Sequence, residues 1–344
     1  MPWMSPLLQR LLRGLFFLLV VWTAACGRAE RATSARGQTP AQEPSSLQTV
    51  RLPMGYIPNI QYAPFYVAVE RGYFRQAGFE VEFDYSFETD GLRLVAAGEV
   101  PFAIASGEQV LMAREQGLPV VYVMAWWQKF PVAVIAAEDA GVRTPADLRG
   151  QRIGLPGLFG ATYIGLTALL HHAGLTEEDV ILEAIGFNQV EALATGQVPV
   201  VVGYITNEPI QLRHLGYAVT VLPVADYVNL ASNGIVTSEA MRAEHPDRVR
   251  AFVHAFYRGL QDVINDPDAG YQASLRYVEG LADEDPGVQM EILHTAIAYW
   301  WTGDTPLGYA DLDAWQNMHD LLLNMGLLTR PQAVEDAVTN EFLP

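Results

Sequence analysis

Apolar Val50, Leu52 and Met54 alternate with Thr49, Arg51 and Pro53, the two-residue period of a strand with one buried face. The chain then turns through Pro58-Asn59, and Phe65, Tyr66, Val67 and Val69 read as the apolar face of a helix. Residues 80–87 alternate acidic and apolar positions as a second strand, and Thr89-Asp90-Gly91 offers an N-cap to a helix over 92–97. A short buried strand at 102–105 turns through Ser106-Gly107-Glu108 into a helix over 109–116, and 120–126 is again a strand. The apolar run 131–137 has no helical punctuation and reads as a strand crossing between lobes.

A second series follows. Thr144-Pro145 is an N-cap with proline at N1, and 152–155 is a strand. A glycine-bearing turn over 156–160 leads into a helix ending at Gly174. Strands at 180–185, 198–204 and 218–222 alternate with short helices at 190–195 and 210–215. From Glu239 the pattern is helical, with segments at 247–265, 270–278, 287–300, 311–325 and 331–340. Strands alternating with helices twice over, then a helical tail, predict an α/β protein of two lobes joined by two crossings. The predicted organisation is lobe 1 from 49–134 and about 237–344, with lobe 2 at 135–236.

The totals agree with a large folded unit: 344 residues, 50% hydrophobic and 17% charged. The net charge of −18 and the lack of a basic stripe argue against nucleic acid and anionic membrane surfaces as partners. Cys26 is the single cysteine, so no disulfide framework or cysteine metal site forms within one chain. Arg10 and Arg13, an apolar run over 15–22, and Thr23-Ala24-Ala25-Cys26 read as a secretory signal over 1–25. The small residues ending at a cysteine resemble a bacterial lipobox, which makes Cys26 the lipidated mature N-terminus. Residues 26–48 hold almost no large apolar side chains and read as a flexible tether. The predicted location is the extracytoplasmic face of the cell membrane, with the acidic domain held there by lipid.

Catalytic patterns are weak. Six of the seven histidines (His171, His172, His214, His245, His254, His294, His319) fall within or at the ends of helices read as outer ones. Glu291 and His294 have a metal-ligand spacing but no facing acid, and read as a surface pair. No serine sits in G-x-S-x-G, and the glycines of 154–160 match neither a dinucleotide fingerprint nor a P-loop. That turn can still present backbone N–H groups to a ligand oxygen. Aromatics recur at the ends of successive strands: Tyr56, Tyr62, Phe159, Tyr163, Phe187 and Tyr204. Trp126 and Trp127 close a strand and should face opposite sides, one toward a cleft. Such residues suit stacking on a flat heteroaromatic ring, with Asn59, Gln61, Gln128, Asn207 and Glu208 as polar partners. Lys129 is the single lysine and stands beside this cluster.

Gly55-Tyr56-Ile57-Pro58-Asn59-Ile60-Gln61-Tyr62-Ala63, then Phe65–Ala68 and Gly72-Tyr73-Phe74, resemble the opening of the NMT1/THI5-like family of periplasmic binding proteins. Leu94–Gly98, Phe102–Ser106 and the 144–154 segment continue the resemblance, which covers about 49–330. It implies a type II periplasmic-binding-protein fold with a hinged cleft, serving the permease of an ABC-type importer. The family's pyrimidine-synthesising enzymes carry a cysteine-rich motif and active-site histidines; here no cysteine follows Cys26, and Tyr62 stands where a histidine is often found. A binding role without cofactor or metal is therefore expected. The 126–131 stretch (WWQKFP) and the lipoprotein form are similar to the riboflavin-binding branch, so riboflavin is the expected cargo and a thiamine pyrimidine precursor the alternative. In this reading Tyr56, Tyr62 and Trp127 wall the ring, while Asn59, Gln61, Gln128 and Glu208 give directional hydrogen bonds. Gly157, Phe159, Gly160, Thr162 and Tyr163 border the glycine turn, and Asp90, Ser106, Tyr204 and Asn207 complete the site. A monomer is expected.

Overall fold

The structure, a computed structural model, describes residues 47–344. The expected leader, Cys26 and most of the tether lie outside the described residues. Among the described residues, ten strands form three sheets. β1 (Gln48–Gly55) and β2 (Phe79–Phe87) pair in parallel, joined by the helix Ala63–Glu70. β3 (Ala103–Ala105) and β4 (Val120–Ala125) flank β10 (Gly234–Ser238), which runs antiparallel to both. The remaining strands are β5 (Val132–Ala137), β6 (Arg152–Leu155), β7 (Ile181–Ala184), β8 (Val200–Tyr204) and β9 (Val219–Pro223), in the order β7-β6-β8-β5-β9. β6 is parallel to β7 and β8, whereas β5 is antiparallel to β8 and β9. Both β5 and β8 are buried almost throughout, which is why their sequences are continuous apolar runs and not alternations.

The chain passes between the first two sheets and the five-stranded one twice, across 126–131 and across 224–233. The two crossings are fastened together. The N–H groups of Trp126 and Trp127 both donate to the Asn233 carbonyl at 3.0 Å, while the first crossing is also tied to the segment after β8, where Ile205 N–H donates to Pro131 O at 2.8 Å.

The first two sheets are covered by the helix Pro246–Asn265. Its buried Val249, Phe252, Val253, Phe256, Leu260 and Val263 follow the helical period. Phe252 stacks on Phe102 with centroids 3.9 Å apart, and Phe256 stacks on Phe65 at 4.1 Å. Gly259 lets this helix touch the helix Ala63–Glu70, since a Cβ there would lie 2.3 Å from Pro64 O.

Three local expectations are corrected. The helix expected from residue 92 begins at Glu88, so Thr89 and Asp90 lie inside its first turn and not before it. The last helix is only Val334–Ala337, because Thr339 N–H donates to Tyr122 O at 2.9 Å and draws the chain into extended pairing beside β4. His319 is not on an outer face but 3% exposed, its Nε2 accepting from Gln332 N–H at 3.0 Å. Among the described residues, no group of His, Cys, Asp and Glu could hold a metal ion, and no helix is long and apolar enough to cross a membrane.

An aromatic cleft with buried carboxyls

The ends of β1, β2, β4, β6 and β8 converge on one cleft, whose walls and solvent-filled mouth together enclose about 1000 Å³. On the side of β1, the chain leaves Gly55, turns, and makes a single 3-10 turn at Ile60–Tyr62. Asn59 Oδ1 caps that turn by accepting Gln61 N–H at 3.0 Å, and Tyr62 O–H donates to Met54 O at 2.8 Å. The turn is thus locked to the end of its own strand. Tyr62 is 3% exposed, with its ring stacked on Trp126 at 5.1 Å and 29°.

Facing this wall, the loop after β6 leads into the helix Gly160–His172. Its first turn has no acidic residue and no side-chain cap, so the amides at this helix start are left without a side-chain acceptor where Gly160, Ala161 and Thr162 line the cleft. Two edge-to-face aromatic pairs span the opening: Tyr56 with Phe187 at 4.9 Å, and Phe87 with Phe159 at 6.2 Å. Thr206 O–H also donates across to Gln61 Oε1 at 3.0 Å.

Two carboxyls line the walls, each seated against a glycine. A Cβ on Gly203 would lie 2.6 Å from Glu208 Cδ, and one on Gly55 would lie 2.6 Å from Glu88 Cγ. Glu208 opens the helix Glu208–His214, where its Oε2 accepts Tyr204 N–H at 2.7 Å. Burial pushes its carboxyl up to about 7 despite that bond. Glu88 accepts from Ser106 N–H at 3.0 Å and Ser106 O–H at 2.6 Å through Oε2, and from the Asn233 amide at 2.9 Å through Oε1. Tyr204 O–H extends the chain by donating to Asn233 Oδ1 at 3.0 Å.

Behind Glu88, the same Ser106 hydroxyl also contacts Glu108 Oε1. A hydroxyl has one hydrogen, so two ionised carboxylates cannot both be its acceptors. One contact must carry a carboxyl proton. Glu88 already receives two N–H donors, which leaves the proton on Glu108, pushed up to about 8 by burial first and by the charge of Glu88 second.

Of the residues picked from sequence, the cleft wall brings together Tyr56, Asn59, Gln61, Tyr62 and Trp127 from one side. From the other come Phe159, Gly160, Thr162, Tyr204, Asn207 and Glu208. Five lie elsewhere. Asp90 is solvent-facing and pairs with Arg93 at 3.2 Å. Gln128 donates to Pro306 O at 2.6 Å, and Tyr163 O–H donates to Glu177 at 2.5 Å. Ser106 sits one layer back, behind Glu88, and Gly157 lies under the Phe159 ring. Lys129 is also off the wall, 3.5 Å from Asp226 and above the Tyr299 ring. Both tryptophans line the cleft, contrary to strand alternation, because β4 ends at Ala125 and the backbone bends where they sit. Sequence reading missed Glu88, Gln109, Gln189 and Asn233 as wall residues. Glu88 was detectable, since it directly follows β2 as Tyr56 follows β1.

Two α/β lobes with a cleft at their crossings define the type II periplasmic-binding-protein fold. The structure is similar to that of the alkanesulfonate-binding protein SsuA from Xanthomonas axonopodis pv. citri, with a TM-score of 0.66 at 18% identity, covering 87% of this chain and all of that one. In sequence, residues 59–270 match the family model described as NMT1/THI5 like. The chain is 43% identical to the riboflavin-binding protein RibY of Chloroflexus aurantiacus, over 95% of this chain and 96% of the relative. It is 26% identical to the formylaminopyrimidine-binding protein of Halalkalibacterium halodurans, over 87% and 92%. This protein belongs to the NMT1/THI5-like family.

Proposed function

We propose that the protein is a receptor for riboflavin, held outside the cytoplasmic membrane by lipid on Cys26 and handing its cargo to the permease of an ABC-type importer. Its role is binding and not catalysis. The observation that carries the ligand choice is the wall itself: aromatic rings from both sides, carboxamides at Asn59, Gln61, Asn207 and Asn233, and, among the described residues, no Lys, Arg or His in the lining. A flat, uncharged ring system with a hydroxylated tail matches that chemistry, and the RibY relative supports it. A sulfonate does not match it, although SsuA shares the fold.

The ring is proposed to lie between Tyr56 and the tryptophan side, with Glu208 and the amides of Gly160–Thr162 taking polar groups. The expected bounds at 134 and 236 would cut β5 and β10, each of which lies whole in one sheet, so residues 49–125 and 234–344 are assigned to one lobe and 132–223 to the other, closing about the crossings between them. A ligand touching both lobes favours the closed arrangement by its differential contacts. The chain acts as a monomer, with 1–25 removed as a signal and 26–48 as tether. Protein purified from cells grown with riboflavin should be yellow, with a flavin absorption band at one flavin per chain. Colourless protein that also fails to take up added riboflavin would refute the proposal.

A further inference from the structure

We infer that Glu88 and Glu208 make this cleft a charge filter that admits riboflavin and rejects its 5′-phosphate. The inference rests on the flavin reading above and narrows it to the uncharged vitamin. The two carboxyls stand on different elements, at the start of the helix Glu88–Ala96 and at the start of the helix Glu208–His214. Both face the cleft, and neither is neutralised by a cation, since all its bonded partners are amides and a hydroxyl. The nearby cation Lys129 is spent on Asp226 and Tyr299.

One feature of the wall favours anions: the uncapped amides at the start of the helix Gly160–His172. Such an end is worth roughly half a positive charge. Phosphate-recognising sites add Arg or Lys to it, and among the described residues none lines this cleft. Half a charge does not offset a phosphate of nearly two negative charges brought beside Glu88 and Glu208. The same amides suit neutral acceptors, such as ring carbonyls or ribityl hydroxyls. The full chain, at −18, adds a repulsive field at longer range.

The test is a titration of the intact protein at about pH 8 with riboflavin, with lumiflavin as the tail-less ring, and with riboflavin 5′-phosphate. Riboflavin should bind at least about 100-fold more tightly than its phosphate, as expected where like charges meet without a counter-ion. In Glu208→Gln that ratio should narrow by about tenfold or more; Glu88→Gln provides the same readout if the first variant does not fold. A phosphate ester that binds within about threefold of riboflavin overturns the filter and leaves the flavin receptor intact. If neither riboflavin nor lumiflavin binds, the flavin reading and the filter fall together. A ratio that both carboxamide variants leave unchanged also overturns the filter, because selectivity would then be steric.

Discussion

Replacing Glu108 by Gln should stabilise the protein, and by an amount that depends on pH. Glu108 is fully buried, shares the Ser106 hydroxyl with Glu88, and has its carboxyl raised from 4.5 to about 8. Below about pH 4.5 the carboxyl is protonated whether the chain is folded or not, and it costs nothing. As pH rises toward 8, the unfolded chain has released that proton while the folded chain still holds it, so stability falls with rising pH. Above about 8 the cost is complete. At about 1.4 kcal/mol per pH unit, the span caps the effect at about 5 kcal/mol. Glutamine keeps a polar group against Ser106 and removes the titration. Urea unfolding of both proteins, followed by tryptophan fluorescence, is to be compared at about pH 5, 6.5 and 8.5. The advantage of Glu108→Gln should be small at the lowest pH and grow by several kcal/mol at the highest. A difference that stays constant across this range would refute the single-proton reading of the Glu88–Ser106–Glu108 cluster.

Other outcomes follow from packing and from the wall. Gly259→Ala places a methyl 2.3 Å from Pro64 O, a backbone atom, and should lower the unfolding free energy by about 1–3 kcal/mol; an unchanged urea midpoint would mean the two helices are not in contact there. Trp127→Ala removes an aromatic face of the cleft and should weaken riboflavin binding by about 1–3 kcal/mol by calorimetry. Unaltered affinity removes Trp127 from the site. Tyr163→Phe loses only a bond to Glu177, so its affinity should match the parent; a tenfold loss would place the ligand beyond the wall described.

The sequence made the fold legible because β1, β8 and the helix Pro246–Asn265 carry unambiguous periods or unbroken apolar runs. The cleft wall was legible near strand ends, at Tyr56, Phe159 and Tyr204. It failed where a helix's rotation decides direction. Glu88 and Asp90 are two positions apart, about 200° around a helix, so one turns inward to Ser106 and the other outward to Arg93. Thr162 and Tyr163 divide in the same way, one lining the cleft and the other reaching Glu177. Asn233 carries no local signal. Its importance comes from the crossing beside it, which is a property of topology that no window of residues contains.

The receptor reading is tested most directly by titrating the protein with riboflavin and, separately, with formylaminopyrimidine while following tryptophan emission. Two of the seven tryptophans, Trp126 and Trp127, line the cleft, so a bound flavin should quench them. Saturable quenching by riboflavin at one molecule per chain, with no response to the pyrimidine at the same concentration, is the predicted result. Quenching by the pyrimidine and not by riboflavin would contradict it.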